Sequence, residues 1–385
     1  MLRYLTGGES HGPALTAIIE GLPSNLPVKL DEVNHQLWRR QQGYGRGGRM
    51  KIESDKIDVM SGIRFGKTLG TPVALLIHNK DWRNWSEKMA IEGEAPDSVV
   101  EIHKPRPGHA DLAGALKYNH RDIRNVLERA SARNTATMVA VGSIARQLLS
   151  QFGIEVFGHV VELGPIKVDR LEGTIPEIAE RAERSEVRVA DPEAEKKIID
   201  AITEAKAAGD TLGGIFEIIV TGVPVGLGSF SMPDRRLDGR LAQSLMSIQA
   251  IKGVEVGLGF EAARIPGSQV HDEIGYRQGE YYRRTNGAGG IEGGITNGQP
   301  VIVRAAMKPI PTLYKPLESV DMQTKEAYRA TIERSDVCAV PAASVVGEAM
   351  VAWTIAQAFL EKFGGDSLEE IQANFAHYKQ TISDR

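Results

Sequence analysis

The spacing of apolar and polar positions changes character along the chain. From Asp122 to Phe152, apolar residues fall at Val126, Leu127, Ala130, Met138, Val141, Ile144, Ala145, Leu148 and Leu149, a recurrence of three and four that predicts helix. Ile154 to Leu163 reads as a strand. Pro176 to Gly209 is charged and alanine-rich, a solvated helical face with Asp191-Pro192 as an N-cap and first-turn pair. Ile215 to Val225 is β-branched and ends in the turn string PVGLGS. Leu237 to Lys252 has a helical pattern, Val301 to Met307 a strand pattern, and Ala342 to Phe363 is a long apolar helix stopped by Gly364-Gly365. Ser367 and Glu370 form a capping box for a last helix. The first 110 residues read as irregular, with short apolar runs such as Val73 to Ile77 between glycine and proline breaks. No fixed-period repeat or linker divides residues 1–385, so a single domain is expected. Strands and helices do not alternate strictly, which argues for a mixed α and β fold outside the doubly wound class.

Composition narrows the function classes. A net charge of −4 carries no signal for nucleic acid or a membrane surface. The one cysteine, Cys338, excludes an intrachain disulfide and fits a reducing compartment; among valines and alanines it reads as a small buried thiol. The N-terminus has no secretory h-region and no apolar run reads as long enough to span a bilayer, so a cytoplasmic location is expected.

The candidate chemistry lies in short strings. Trp38 to Lys51, WRRQQGYGRGGRMK, holds Arg39, Arg40, Arg46, Arg49 and Lys51, no acid and four glycines. Guanidinium forks match phosphate and carboxylate oxygens, and glycines let backbone N–H groups approach the same anion. The alternative is a solvated RGG-like loop that grips RNA, with affinity that falls with salt. GYGRGG at Gly43 to Gly48 has dinucleotide-motif spacing but lacks the flanking strand and helix, and SGIRFGKT at Ser61 to Thr68 misses the first P-loop glycine. No histidine or cysteine spacing suits a metal.

Two histidines stand out. His11, in GESHG, follows Ser10 and precedes Gly12-Pro13; an imidazole in such a turn is suited to proton donation. His109 lies in RPGHAD beside Arg106 and Lys104. RASAR at Arg129 to Arg133 offers Ser131 near a helix start, which favours an anion. Lys308 to Thr312, KPIPT, adds a cation, a rigid turn and a hydroxyl, and Arg334, Ser335 and Asp336 open RSDVCAVPA.

Together these strings resemble the chorismate synthase family. The resemblance rests on GESHGPALTAIIEGLP at Gly8 to Pro23, ERASARNTATMVAVG at Glu128 to Gly142 and RSDVCAVPAASVVGEAMVA at Arg334 to Ala352, with YGRGGRMKIE, RPGHAD, SIQAIKG, GGIEGGITNGQP and MKPIPT between them in the family's order. It spans about Tyr4 to Gly365. It implies an α+β sandwich with helices between antiparallel sheets, a homotetramer, and an anti-1,4-elimination of phosphate from 5-enolpyruvylshikimate 3-phosphate to give chorismate. Reduced FMN is required without net redox change, with NADPH entering only through an external flavin reductase.

By matching position, the resemblance implies that His11 protonates the departing phosphate, His109 serves reduced flavin near N1, and Asp336 helps remove the C6 hydrogen beside N5. It implies substrate contacts from Arg40, Arg46 and Arg49, with Arg39, Arg106, Arg133 and Ser10 as neighbours. Flavin contacts map onto Arg129, Ala130 and Ser131, Gln249 and Ala250, Gly293, Lys308, Pro309, Ile310, Pro311 and Thr312, and Arg334. Four positions depart from the family pattern: Ala130 stands for a serine, Asn134 for a common glutamate, Gln249 for asparagine and Val337 for a frequent proline. A flavin oxidoreductase with net electron transfer is the rival within enzymes.

Overall fold

The computed structural model describes residues 1–46, 54–168, 171–330 and 336–383. Arg49, Lys51, Arg334 and Ser335 lie outside the described residues. The N-terminal part, expected to be irregular, is built on strands. β1 (Arg3–Gly7), β2 (Ala14–Glu20), β4 (Ile57–Ser61) and β7 (Val73–His78) form an antiparallel sheet in the order β1-β2-β7-β4. β3 (Ser24–Pro27), β5 (Ile63–Arg64) and β6 (Lys67–Leu69) form a smaller sheet beside it. Along β2, Leu15, Ala17 and Ile19 are buried while Thr16, Ile18 and Glu20 are exposed, the period of a half-buried strand. Leu5 and Ile18 put apolar side chains on the open face, which blurs that alternation in the sequence. The helix α1 (Leu30–Gln41) was equally hard to read, because only Val33 and Leu37 mark its buried face as apolar.

The second sheet orders β11 (Ile251–Val256), β16 (Val301–Met307), β10 (Gly214–Thr221), β8 (Glu155–Leu163) and β9 (Ile166–Lys167), all antiparallel. Two-stranded ribbons complete the strands: β12 (Ile274–Arg277) with β13 (Glu280–Arg283), β14 (Ile291–Glu292) with β15 (Ile295–Thr296), and β17 (Glu318–Val320) with β18 (Ala327–Arg329).

Between the two main sheets run α4 (Thr135–Ser150) and α9 (Val340–Phe363). α4 packs on β2 and β8, and α9 packs on β8, β10 and β16. Both helices are apolar nearly all round, as a helix covered on every side must be. They cross closely at Gly142: a Cβ there would sit 2.3 Å from the Ala349 carbonyl oxygen. α9 has the length and composition of a membrane span, contrary to the expectation that no run is long enough, but 89% of its most apolar stretch is buried in the protein core. The chain is thus an α+β sandwich with helices between antiparallel sheets.

Outside this centre lie α2 (Asp111–Tyr118), α3 (Arg124–Ala130), α5 (Ile175–Arg184), α6 (Pro192–Ala207), α7 (Leu237–Met246), the short α8 (Gly267–Val270) and α10 (Leu368–Ser383). The Asp191 carboxylate caps α6 by accepting from the Glu193 and Ala194 N–H groups, and Ser367 and Glu370 exchange hydrogen bonds at the start of α10. The helical pattern over Leu237 to Lys252 overruns: α7 stops at Met246, Ala250 takes a left-handed conformation (φ 69°), and Ile251 opens β11. Ile248 and Ile251 are buried in both kinds of structure, so their spacing could not separate helix from strand.

Candidate active site

The turn between β1 and β2 presents Ser10 and His11, and α3 holds it from below. The Glu128 main-chain oxygen accepts from Ser10 N–H (3.0 Å), and the Glu128 carboxylate accepts from His11 N–H (2.8 Å). His11 Nδ1 lies 2.9 Å from both Glu128 oxygens. Trp85 stacks on the imidazole face, 3.9 Å between centroids and 24° between planes. Arg124 lies over the same indole and donates to Glu128 at 3.4 Å. Burial pushes the Glu128 carboxyl up, but the hydrogen bonds and charge of His11, with Arg124 behind, more than offset this and hold it below the ordinary value. Ser131, just past α3, donates to Ser10 Oγ at 3.1 Å. Arg129 donates to the Thr6 and Gly8 carbonyls, the Thr6 hydroxyl and the Asn134 side-chain oxygen.

Next to this turn, two arginines share one carboxylate. Arg40, from α1, donates to Asp55 Oδ2 at 2.9 Å and to Thr135 Oγ1 at 3.1 Å; Arg133 donates to the same Asp55 oxygen at 2.7 Å. Burial raises the Asp55 carboxyl, but Arg40 and Arg133 overcome it and hold the group below its ordinary range. Among the described residues, two guanidiniums thus converge on one carboxylate oxygen. Asn79 ties this cluster to the first, accepting from Arg133 Nε (3.0 Å) and donating to the Glu9 and Gly12 carbonyls. Arg46 pairs with Asp336 at 3.0 Å. Burial pushes the neighbouring Cys338 thiol up to about 12, which makes it a poor nucleophile.

Arg39, one residue before Arg40, turns elsewhere. Its guanidinium donates to Gln36, twice to Glu183 and twice to Glu348, which takes up all five N–H groups. Arg146 and Arg188 also reach Glu348. Consecutive helical residues point about 100° apart, so Arg39 braces α1 from a buried ionic network while Arg40 faces Asp55.

The RPGHAD loop docks on the KPIPT turn. His109 Nε2 lies 3.2 Å from Thr312 Oγ1, its Nδ1 lies 3.2 Å from the Pro107 carbonyl, and Lys308 Nζ donates to the Gly108 carbonyl at 2.6 Å. Arg106 is turned inward onto Asp111 through Nε (2.9 Å) and Nη2 (3.2 Å). Lys308 N–H donates to the Ala250 carbonyl, so Gln249 and Ala250 join the group. This cluster connects to Asp336 through a short bonded path: Thr211 Oγ1 donates to the Ile310 carbonyl, and Leu212 N–H to the Val337 carbonyl. Gly293 lies apart, at the tight turn between β14 and β15.

Glu128, Trp85, Asn79 and Asp55 are the residues sequence reasoning passed over. Glu128 was within reach as the carboxylate immediately before the RASAR string. Trp85 sits in an irregular polar stretch 74 residues beyond His11, and no spacing signal links the two.

A chorismate synthase family model matches residues 2–360. The chain is 60% identical over 386 aligned residues to the chorismate synthase of Geobacter metallireducens, covering 98% of each chain. It is 59% identical to that of Aquifex aeolicus, over 98% of this chain and 97% of the relative. A solved crystal structure of a chorismate synthase superposes with a TM-score of 0.81 at 46% identity, over 100% of this chain and 99% of the other. A family model that spans the sandwich and every described cluster, with relatives this similar over their full lengths, places the chain in the chorismate synthase family of enzymes.

Proposed function

We propose that this enzyme is a carbon–oxygen lyase that eliminates phosphate from 5-enolpyruvylshikimate 3-phosphate in the anti-1,4 sense to give chorismate, the last step of the shikimate pathway. The observation that carries the reading is the juxtaposition of the Glu128-held His11 with the Arg40–Asp55–Arg133 cluster, linked through Asn79. The substrate bears one phosphate and two carboxylates. Guanidinium forks match the oxygens of such an anion, and guanidiniums already fixed by Asp55 need little reorganisation to receive it. Arg40, Arg46, Arg133 and Ser10 are the substrate-facing residues in this reading, with Arg49 beside them in sequence. Arg39 and Arg106, spent on internal acids, act as braces.

His11 acts as an imidazolium with a proton on each ring nitrogen: Nδ1–H stays on Glu128, and the Nε2 proton goes to the departing phosphate, leaving the neutral ring. Asp336, held by Arg46, takes up the C6 proton. The residues for a flavin are present on the described chain: the buried Gln249 side-chain oxygen has no hydrogen-bond partner, and Ala250 keeps a left-handed backbone beside Lys308. A group with donors at its edge fits there, and a residue held in a costly conformation is often found where a ligand is clamped. Ala250, Gln249, Lys308 to Thr312, His109, Arg129, Ala130 and Ser131 would hold FMN; Gly293 lies apart from them, and Arg334 is outside the described residues. When bound, reduced FMN supplies electron density to the allylic system as the C–O bond weakens. His109 is placed by Thr312 and Pro107 to hold a proton near that group.

The enzyme works in the cytoplasm as a homotetramer and takes its reduced flavin from an outside reductase that uses NADPH. The test is anaerobic phosphate release from 5-enolpyruvylshikimate 3-phosphate with catalytic dithionite-reduced FMN. Many turnovers per flavin with chorismate as product are expected. One turnover per flavin oxidised would instead establish net electron transfer.

A further inference from the structure

Glu128 does more than close a turn. It reaches the Ser10–His11 segment from 117 residues away at three points: main-chain oxygen to Ser10 N–H, carboxylate to His11 N–H, and carboxylate to His11 Nδ1. Its side chain is 1% exposed and that of His11 16%. A buried carboxylate with two donors on one residue fixes that residue's position as well as its ring. An imidazole whose Nδ1–H is held by a carboxylate presents Nε2 as its working nitrogen. The stacked Trp85 closes one face of the ring and removes most of its remaining freedom.

We infer that Glu128 is the positioning residue of the general acid: it holds His11 with Nδ1 protonated and Nε2 aimed at the leaving phosphate, and Trp85 closes the ring's face. This rests on the proton-donor role given to His11 above. Around the pair, Arg124 donates to Glu128 and lies over Trp85, Lys88 lies over the same indole, and Glu9 precedes Ser10 in the turn. Glu128 touches no reacting atom in this account. Its effect on rate passes wholly through His11, which separates it from a residue that only stabilises the fold.

Two measurements decide it. In the full-length native protein labelled with 15N-histidine, the His11 resonance should show a proton bound to Nδ1. A bare Nδ1 with the proton on Nε2 would overturn the inference, and this readout needs no activity. The second is a cycle of Glu128→Gln, His11→Ala and the double variant, read by phosphate release. Glu128→Gln keeps the side chain's shape and loses its charge. It should lower kcat by roughly ten- to a hundredfold with KM within about twofold, and should cost less than about twofold in the His11→Ala background. Equal cost in both backgrounds would make Glu128 structural, and a change confined to KM would make it a substrate contact; either overturns the positioning role. Native-level release by His11→Ala would instead overturn the donor reading on which the inference rests, a result distinguishable from failure of Glu128 alone.

Discussion

The buried network under α1 gives a stability prediction whose size follows from the structure. Glu348 accepts from Arg39, Arg146 and Arg188 and is almost wholly excluded from water. Burial raises its carboxyl, but Arg39, Arg188 and Arg146 overcome this and lower it from 4.5 to about 2. A carboxyl lowered on folding stabilises the folded state above its unfolded value, and the gain is lost as pH falls through the folded value. Each pH unit of lowering is worth about 1.4 kcal/mol, so the charge contributes about 3 kcal/mol at pH 7 and less than about half of that at pH 3. Glu348→Gln keeps the volume, leaves Arg39 and Arg188 with Glu183 and takes from Arg146 the carboxylate it donates to, a loss in the range of about 3–5 kcal/mol for a broken buried pair. An unfolding entropy of about 2.1 cal/mol/K per residue gives roughly 0.8 kcal/mol/K for 385 residues. The variant should therefore melt about 4–6 °C below the native protein at pH 7, and the gap should shrink by about half at pH 3. Scanning calorimetry of both proteins at the two pH values is the assay. A gap under about 1 °C at pH 7, or one that stays constant between the two pH values, would refute the charge-based account.

The site yields further expectations. His11→Ala should bind FMN normally, measured by flavin fluorescence, and release phosphate roughly a hundredfold or more slowly, as for a lost general acid; unchanged release would remove His11 from the chemistry. Asp336→Ala should reduce kcat far more than it raises KM, and a deuterium isotope effect at C6 of the substrate should grow; a loss confined to binding would leave Asp336 as a partner for Arg46 only. Gly142→Ala should force α4 and α9 apart, because the new Cβ meets the Ala349 backbone. An overpacking cost of about 1–3 kcal/mol lowers the melting temperature by about 1–4 °C, and a variant as stable as the native protein would show that the crossing is looser than its geometry. Cys338, buried and pushed up to about 12, should react with a thiol reagent only as fast as the protein unfolds.

How much of this was legible differs by residue, for physical reasons. The long helices α4 and α9, covered nearly all round, announced themselves because burial demands a continuous apolar pattern, and β16 did so through its β-branched run Val301 to Val303, although only alternate residues of the strand are buried. The first sheet did not, because its open face carries Leu5, Ile18 and Met60. The arginine-rich string was visible as a whole, but nothing in it separates Arg39 from Arg40. The distinction arises only when Glu183 and Glu348, far along the chain, fold against one side of α1 and Asp55 against the other. Similarly, His11 stands out as a titratable group in a turn, whereas its dependence on Glu128 and Trp85 is created by tertiary contact.

The four departures from the family pattern can be weighed against these contacts. Ala130 is exposed, and the hydroxyl that reaches Ser10 belongs to Ser131, so the serine missing at 130 takes nothing from that link. Asn134 accepts from Arg129 through an amide oxygen (2.8 Å), where a glutamate would also have cancelled its charge; among the described residues the other acceptors of Arg129 are neutral too. Gln249 keeps a buried amide oxygen without a partner among the described residues, one methylene further out than asparagine would place it. Val337 brings a contact that a proline could not make. Its N–H donates to the Gly45 carbonyl at 2.9 Å, and proline has no N–H to give. That bond fastens the backbone beside Asp336 to the backbone beside Arg46, the two residues whose side chains pair at 3.0 Å. In this chain the valine therefore secures by hydrogen bonding a register that a proline would have had to secure by rigidity alone.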